Sequence, residues 1–263
     1  MSSIYSFEVR AFGCNVHVAA DCLDTYTILE RYVFPPLPRL AITTDKADIF
    51  IRLDRVADQS QLSVDGAVVA SSGRTISLVP DLIRALDDAV IKSLTALRAV
   101  HAGAVLLGER ALLLPGITHA GKSSLVAELL RRGATYFSDE YALIDSEGHV
   151  HPYPRPLLLR NGSPEQSPVL PAECNARTGN SSAPVGWILS LEYRPEGAWS
   201  VEAVPQSETL LILLRNTPHI LSESPDLVAV FQRAVAGATC YTGHRPDADE
   251  AVSQILRLTG NPG

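Results

Sequence analysis

The 263-residue chain has no run of lysines and arginines, and its formal net charge is −7. A general nucleic-acid binder needs a basic surface that follows the phosphates, so no nucleic-acid partner is expected. No window approaches the roughly 18 apolar residues that span a bilayer, so no membrane partner is expected. The opening residues, MSSIYSFEVRAFG, lack a basic stretch leading into an apolar one, so no secretory leader is read there. Cysteine is sparse. Cys14, Cys22, Cys174 and Cys240 show no C-x-x-C pairing and no metal-ligand spacing, which argues for packed or free thiols rather than a disulfide frame or a zinc site. His149, His151, His219 and His244 show no metal-ligand spacing either. There is no internal repeat and no low-complexity segment. These absences leave a globular, cytoplasmic protein as the expectation, with ample chain for a buried core.

What is present centres on Ala111 to Arg132, ALLLPGITHAGKSSLVAELLRR. Gly116-Ile117-Thr118-His119-Ala120-Gly121-Lys122-Ser123 fits G-x-x-x-x-G-K-[ST] at every specified position, the pattern of a phosphate-cradling loop. Its glycines let the backbone turn so that successive N–H groups face a phosphate chain. Lys122 then reaches the β/γ-phosphates, the Ser123 hydroxyl can ligate Mg²⁺, and the following helix adds its positive end. Ser124 completes the expected nucleotide-binding set. Context supports the motif. Ala111 to Leu114 suits a buried strand, and Leu125, Val126, Leu129 and Leu130 recur at helical spacing. Glu128 is placed to pair with Arg132, and Gly133 to stop the helix.

Around this stretch the chain reads as alternating strands and helices. Ile4 to Ala20 predicts strands broken near Gly13, and Thr25 to Phe34 a short helix stopped by the Pro35–Pro38 cluster. Asp48–Arg55, Gln61–Ser71 and Thr75–Val79 predict strands, making the first ninety or so residues hairpin-rich. Asp81 to Ala99 predicts a helix joining two halves, 1–95 and 96–263. Strands follow at His101–Leu107, Thr135–Phe137 and Ala142–Ile144. The prolines of Val150 to Arg160 predict an edge or loop. Asn161 to Pro184 reads as loop throughout, a lid or a disordered segment. Val185–Tyr193 and Trp199–Val204 predict a strand pair, Ser207–Leu214 and Pro225–Val235 helices, Thr239–His244 a strand, and Ala248–Leu258 a closing helix.

A phosphate loop needs an acidic partner on a neighbouring strand. Asp139 and Glu140, at the end of the short run after the loop's helix, fill that need. One would ligate Mg²⁺ and the other accept a proton from an acceptor hydroxyl. Arg155 and Arg160 follow and would line the cleft, or serve as ordinary strand-edge charges.

His101-Ala102-Gly103, then LLLPGITHAGKSSLVAELLRRG, then FSDEYALID, resemble the catalytic core of HPr kinase/phosphorylase, whose nucleotide-binding core is related to that of phosphoenolpyruvate carboxykinase. The resemblance spans His101 to Arg160. It is most similar to small stand-alone relatives, including kinases that phosphorylate lasso-peptide precursors on serine. It implies an α/β fold, with a P-loop phosphoenolpyruvate carboxykinase/HPr kinase-like core on a mixed sheet, beside a β-rich N-terminal lobe. Carried over, Gly116, Gly121, Lys122 and Ser123 hold phosphates and Mg²⁺, and Asp139 is the general base. Glu140 replaces a second aspartate as metal ligand, and His101 stands near the transferred phosphate. No copy of the family's Glu-Val-Arg-Gly signature is found, Glu192-Tyr193-Arg194 being a weak echo, and the first ninety residues do not match its regulatory domain. A one-way ATP-dependent kinase of a serine in a peptide or protein is therefore expected, with homo-oligomers a family trait. A kinase of a small hydroxyl compound and a non-catalytic ATP sensor are the alternatives.

Overall fold

The computed structural model describes residues 5–33, 39–40, 47–116, 121–160, 162–218 and 225–260. The chain forms two compact units, residues 1–95 with 155–170, and 96–154 with 171–263. The Pro35–Pro38 connector, His219 and the loop residues Ile117 to Ala120 lie outside the described residues.

The first unit holds β1 (Tyr5–Ala11), β2 (Cys14–Ala20), α1 (Leu23–Tyr32), β3 (Arg39–Leu40), β4 (Ile49–Val56), β5 (Gln59–Val64), β6 (Ala67–Ser72) and α2 (Val79–Ser93). Its six strands form one sheet in the order β3-β1-β2-β4-β5-β6, with β2 and β4 parallel and the other pairs antiparallel. Alternation does the work expected of it in β4, where Ile49, Ile51 and Leu53 are buried and Phe50 is exposed. The strand expected over Thr75–Val79 is instead a 3-10 turn, Thr75–Leu78, leading into α2. Pro80 in the first turn of that helix explains the change, since its fixed φ suits a helix start and it offers no ladder donor. The helix ends at Ser93 rather than Ala99. Arg98 and Ala99 are taken by the next strand, where they pair with Ile144 and Leu143.

The second unit begins with β7 (Arg98–Leu107), β8 (Arg110–Pro115), α3 (Lys122–Arg131), β9 (Thr135–Ser138), β10 (Tyr141–Ile144) and β11 (His149–His151). The chain then enters the first unit as β12 (Leu157–Leu159) paired with β13 (Ser167–Val169). There Arg155 and Asp87 of α2, 2% and 4% exposed, set Nε 3.0 Å from Oδ2. Arg155 is thus a buried ion-pair partner, and Arg160 lines a hollow of the first unit with Arg84 and Glu165. The second unit resumes with β14 (Ala183–Tyr193), β15 (Ser200–Ala203), α4 (Gln206–Arg215), α5 (Leu227–Ala236), β16 (Thr239–Arg245) and α6 (Ala248–Leu258).

Its sheet runs β11-β10-β7-β8-β14-β16-β15, with β9 also on β7. It is mixed: β8, β14 and β16 are parallel, while β7, β10 and β15 run antiparallel to their neighbours. The expected pairing of Val185–Tyr193 with Trp199–Val204 does not occur, because β16 lies between them. The apolar β14 is buried in mid-sheet, whereas the polar β15, SVEA, is mostly exposed at the edge. β11 is no edge strand; it pairs with both β10 and β14, and the prolines at 152, 154 and 156 follow it. Nor is the segment after Asn161 loop throughout. Besides β13 it carries a 3-10 turn, Pro171–Cys174, and Arg177 and Gly179 bond the backbone of Tyr136 on β9.

The two faces of β7 define the layers. Ala102 and Ala104 join a buried cluster with Leu213, Val230 and Phe231 of α4 and α5. Gly103 points the other way, toward α3, where an added Cβ would sit 2.7 Å from Val126 Cγ2. Only glycine allows α3 this close.

Candidate phosphate-binding site

β8 ends at Pro115 and α3 starts at Lys122, so the glycine pattern lies between a strand and a helix, the setting that the motif requires. Gly121 is the N-cap, with φ 72° and ψ 23° in the left-handed region. Among the described residues no side chain caps this helix, and its first turn carries no acidic residue. Its leading N–H groups and partial positive charge are therefore directed at whatever anion approaches. Glu128 closes the other end, pairing with Arg131 and Arg132 at 3.1 and 3.2 Å.

Lys122 is 7% exposed. Its Nζ donates to the Gly116 carbonyl at 2.8 Å and lies 3.2 Å from His101 Nε2. The same Nε2 is 2.6 Å from Glu140 Oε1. One ring nitrogen cannot donate to the carboxylate and accept from the ammonium at once. The shorter contact assigns the proton on Nε2 to the bond with Glu140, and the Lys122 ammonium abuts the same nitrogen. Tyr141 stacks obliquely on the imidazole, with ring centroids 5.7 Å apart.

The sheet register places these groups. Tyr141 pairs with His101 and Ser138 with Ala104, so Asp139 and Glu140 fall at the junction of β9 and β10, beside Ala102 and Gly103. Glu140 O accepts from Ala102 N at 3.0 Å and continues the ladder. The two acids differ in setting. The Glu140 side chain is 28% exposed, whereas Asp139 is fully buried, with the Tyr136 hydroxyl 3.5 Å from its Oδ1. Ser123 is half-buried and Ser124 exposed. The structure thus brings Gly116, Lys122, His101 and Glu140 within contact of one another in series, with Gly121, Ser123 and Asp139 adjoining them in sequence.

Arg245, at the end of β16, is a member of the site that sequence reasoning missed. It is 2% exposed, and its Nη2 donates to the Gly121 carbonyl at 3.0 Å while Nη1 donates to Pro246 O at 2.9 Å. Its guanidinium lies 4.7 Å from the centroid of the Tyr193 ring, and the Tyr193 hydroxyl donates to Asp247 at 2.7 Å. Burial lowers the Arg245 pKa, opposed by Tyr193 and Asp247, yet an arginine stays charged. An added Cβ on Gly121 would collide with Nη2. The signal in the sequence was slight: an arginine just past a predicted strand, before a proline and a helix.

The hard oxygen donors of this region are the Ser123 hydroxyl and the carboxylates of Asp139 and Glu140, donor types that suit a small divalent cation. Among the described residues no three His, Cys, Asp or Glu side chains gather into a metal cage. No helix of the described residues is long and apolar enough to cross a membrane.

No protein-family model and no curated protein matches the chain. Among solved structures, the Hpr(Ser) kinase/phosphatase from Coxiella burnetii aligns with 62% of this chain and 98% of its own, at 14% identity and a TM-score of 0.31.

Proposed function

We propose that this chain is an ATP-dependent kinase that transfers the γ-phosphate to a hydroxyl, foremost a serine of a peptide or protein. The observation that carries the reading is the group Gly116–Lys122–His101–Glu140 set at an uncapped, glycine-led helix end. Phosphoryl transfer needs positioning and charge stabilisation more than covalent chemistry. The α3 N–H groups would bind the phosphates, and Lys122 would leave the Gly116 carbonyl for a β/γ-oxygen. Mg²⁺, held by Ser123 and a carboxylate, would offset charge on the phosphates. Arg245 would fix the loop from behind through Gly121.

Asp139 is the base of the sequence assignment, taking the acceptor's proton as its oxygen attacks phosphorus, with Glu140 as metal ligand. The burial of Asp139 against the partial exposure of Glu140 favours a second division, because a base must reach the acceptor and a metal ligand need not. In that version Glu140, oriented by His101, takes the proton, and Asp139 holds Mg²⁺.

The test is transfer from γ-labelled ATP, with Mg²⁺, to serine-containing peptides and to small hydroxyl compounds, read by mass spectrometry. Label on a peptide that disappears in both Asp139→Asn and Glu140→Gln is the expected result. Label on a small compound alone would replace the acceptor class. Tight ATP binding with no transfer would indicate a sensor and overturn the kinase.

A further inference from the structure

Tyr193 stands at the phosphate edge of the second unit and takes no part in the phosphate chemistry. Strands β8, β14 and β16 run parallel, so their carboxyl ends share one edge of the sheet, the edge at which open α/β sheets receive ligands. β8 leads from that edge into Gly116, β14 ends there with Tyr193, and β16 ends there with Arg245. Tyr193 and Arg245 are ladder partners, and so share one face of the sheet.

A lone exposed tyrosine is ordinary, but this ring is fixed on two sides. The Arg245 guanidinium lies 4.7 Å from its centroid, and its hydroxyl donates to Asp247 at 2.7 Å. The Asp247 bond, foremost, raises the phenol pKa, so the hydroxyl stays a neutral donor at physiological pH. Arg245 is itself held, with Nη2 on the Gly121 carbonyl at 3.0 Å and Nη1 on Pro246 O at 2.9 Å. Tyr193 nonetheless remains 40% exposed. Flat aromatic area is thus presented to water at a set place, one guanidinium away from the N-cap of α3.

We infer that Tyr193 is the platform on which a purine base stacks while the phosphates of the same nucleotide lie at the start of α3. This rests on the phosphate-site reading above and adds the base subsite to it. An aromatic side chain accepts a base through the π-face that every base carries, and the bicyclic purines offer the larger overlap. A ring that is already fixed loses little freedom when a base settles on it. Arg245 then ties the two ends of the ligand together, because it holds the N-cap that meets the phosphates and backs the ring that meets the base.

The probes are ATP and inorganic tripolyphosphate, each with Mg²⁺, titrated by calorimetry into the full chain and into Tyr193→Leu, Tyr193→Trp and Lys122→Ala. The wild-type chain should bind ATP at least tenfold more tightly than tripolyphosphate. Tyr193→Leu should erase that preference with tripolyphosphate affinity unchanged, whereas Lys122→Ala should weaken both probes. Tyr193→Trp should keep the preference, and its added fluorescence should be quenched by ATP and not by tripolyphosphate. Equal binding of the two probes by the wild-type chain would overturn the platform and leave the phosphate reading standing. So would equal weakening of both probes by Tyr193→Leu, the mark of a ring that only braces Arg245, or a Tyr193→Trp variant that binds ATP unquenched. Binding of neither probe by the wild-type chain would remove the phosphate site and the platform together.

Discussion

The imidazole of His101 sits between an ammonium and a carboxylate, and its worth to the site is positional. Its contacts with Glu140 and Lys122 predict that His101→Ala releases the Glu140 carboxylate from its set orientation and weakens MgATP binding, by about tenfold, measurable by calorimetry. The two acids separate by metal dependence. Whichever carboxylate holds Mg²⁺, its amide variant should raise the Mg²⁺ concentration needed for half-maximal transfer. The variant of the base should lower turnover with that requirement unchanged. Arg155 shows the opposite lesson, since an arginine that the sequence offers to a cleft lies inside the first unit against Asp87. Arg155→Ala should cost about 3 kcal/mol in denaturant unfolding, as expected when a buried pair is broken from one side. Asp145 supplies the pH dependence. Burial pushes its carboxyl up, but the bond with His151 and the backbone N–H groups of His149 and Glu147 outweigh that and leave it below the usual range. A depressed folded pKa stabilises above the unfolded value, and that contribution fades as pH falls through the folded one. Asp145→Asn should therefore lose about 1 kcal/mol near neutrality and almost nothing near pH 2.

At the scale of elements, β8 and α3 were legible because two independent signals agreed there, an apolar run and a 3.6-residue period flanking the glycine pattern. Helix stop and pairing followed too: Gly133 at φ 92° lies just beyond the end of α3, and Glu128 meets Arg132. Elements defined by distant partners were not legible. β15 finds β16 rather than β14, β11 is paired on both sides, and the chain after Asn161 is tied to β12 and β9. Those choices depend on which strand lies alongside, and no local pattern encodes that. Arg245 escaped for the same reason, since its partner Gly121 is more than a hundred residues away in sequence. Gly103 shows how closely α3 is seated. Gly103→Ala must push against Val126, and should destabilise the second unit by about 1–3 kcal/mol while reducing nucleotide affinity by displacing the start of α3.

For the whole molecule, the net charge of −7 with no basic run is a property of the sequence, and no helix of the described residues is long and apolar enough to cross a membrane. Division into two compact units could be expected from the joining helix, but the return of residues 155–170 to the first unit could not, because those residues carry no periodic signal. Each unit has its own buried set, so calorimetry should resolve Arg155→Ala and Gly103→Ala as shifts of different transitions. A single transition moved equally by both would show one cooperative body instead. Whether the start of α3 binds a nucleotide is read most simply by titrating the full chain with ATP and Mg²⁺, beside Lys122→Ala and Gly121→Ala. One saturable site is expected, with affinity reduced at least tenfold by Lys122→Ala and reduced also by Gly121→Ala, where the added methyl meets Arg245. No binding by the wild-type chain, or equal binding by all three proteins, would contradict it.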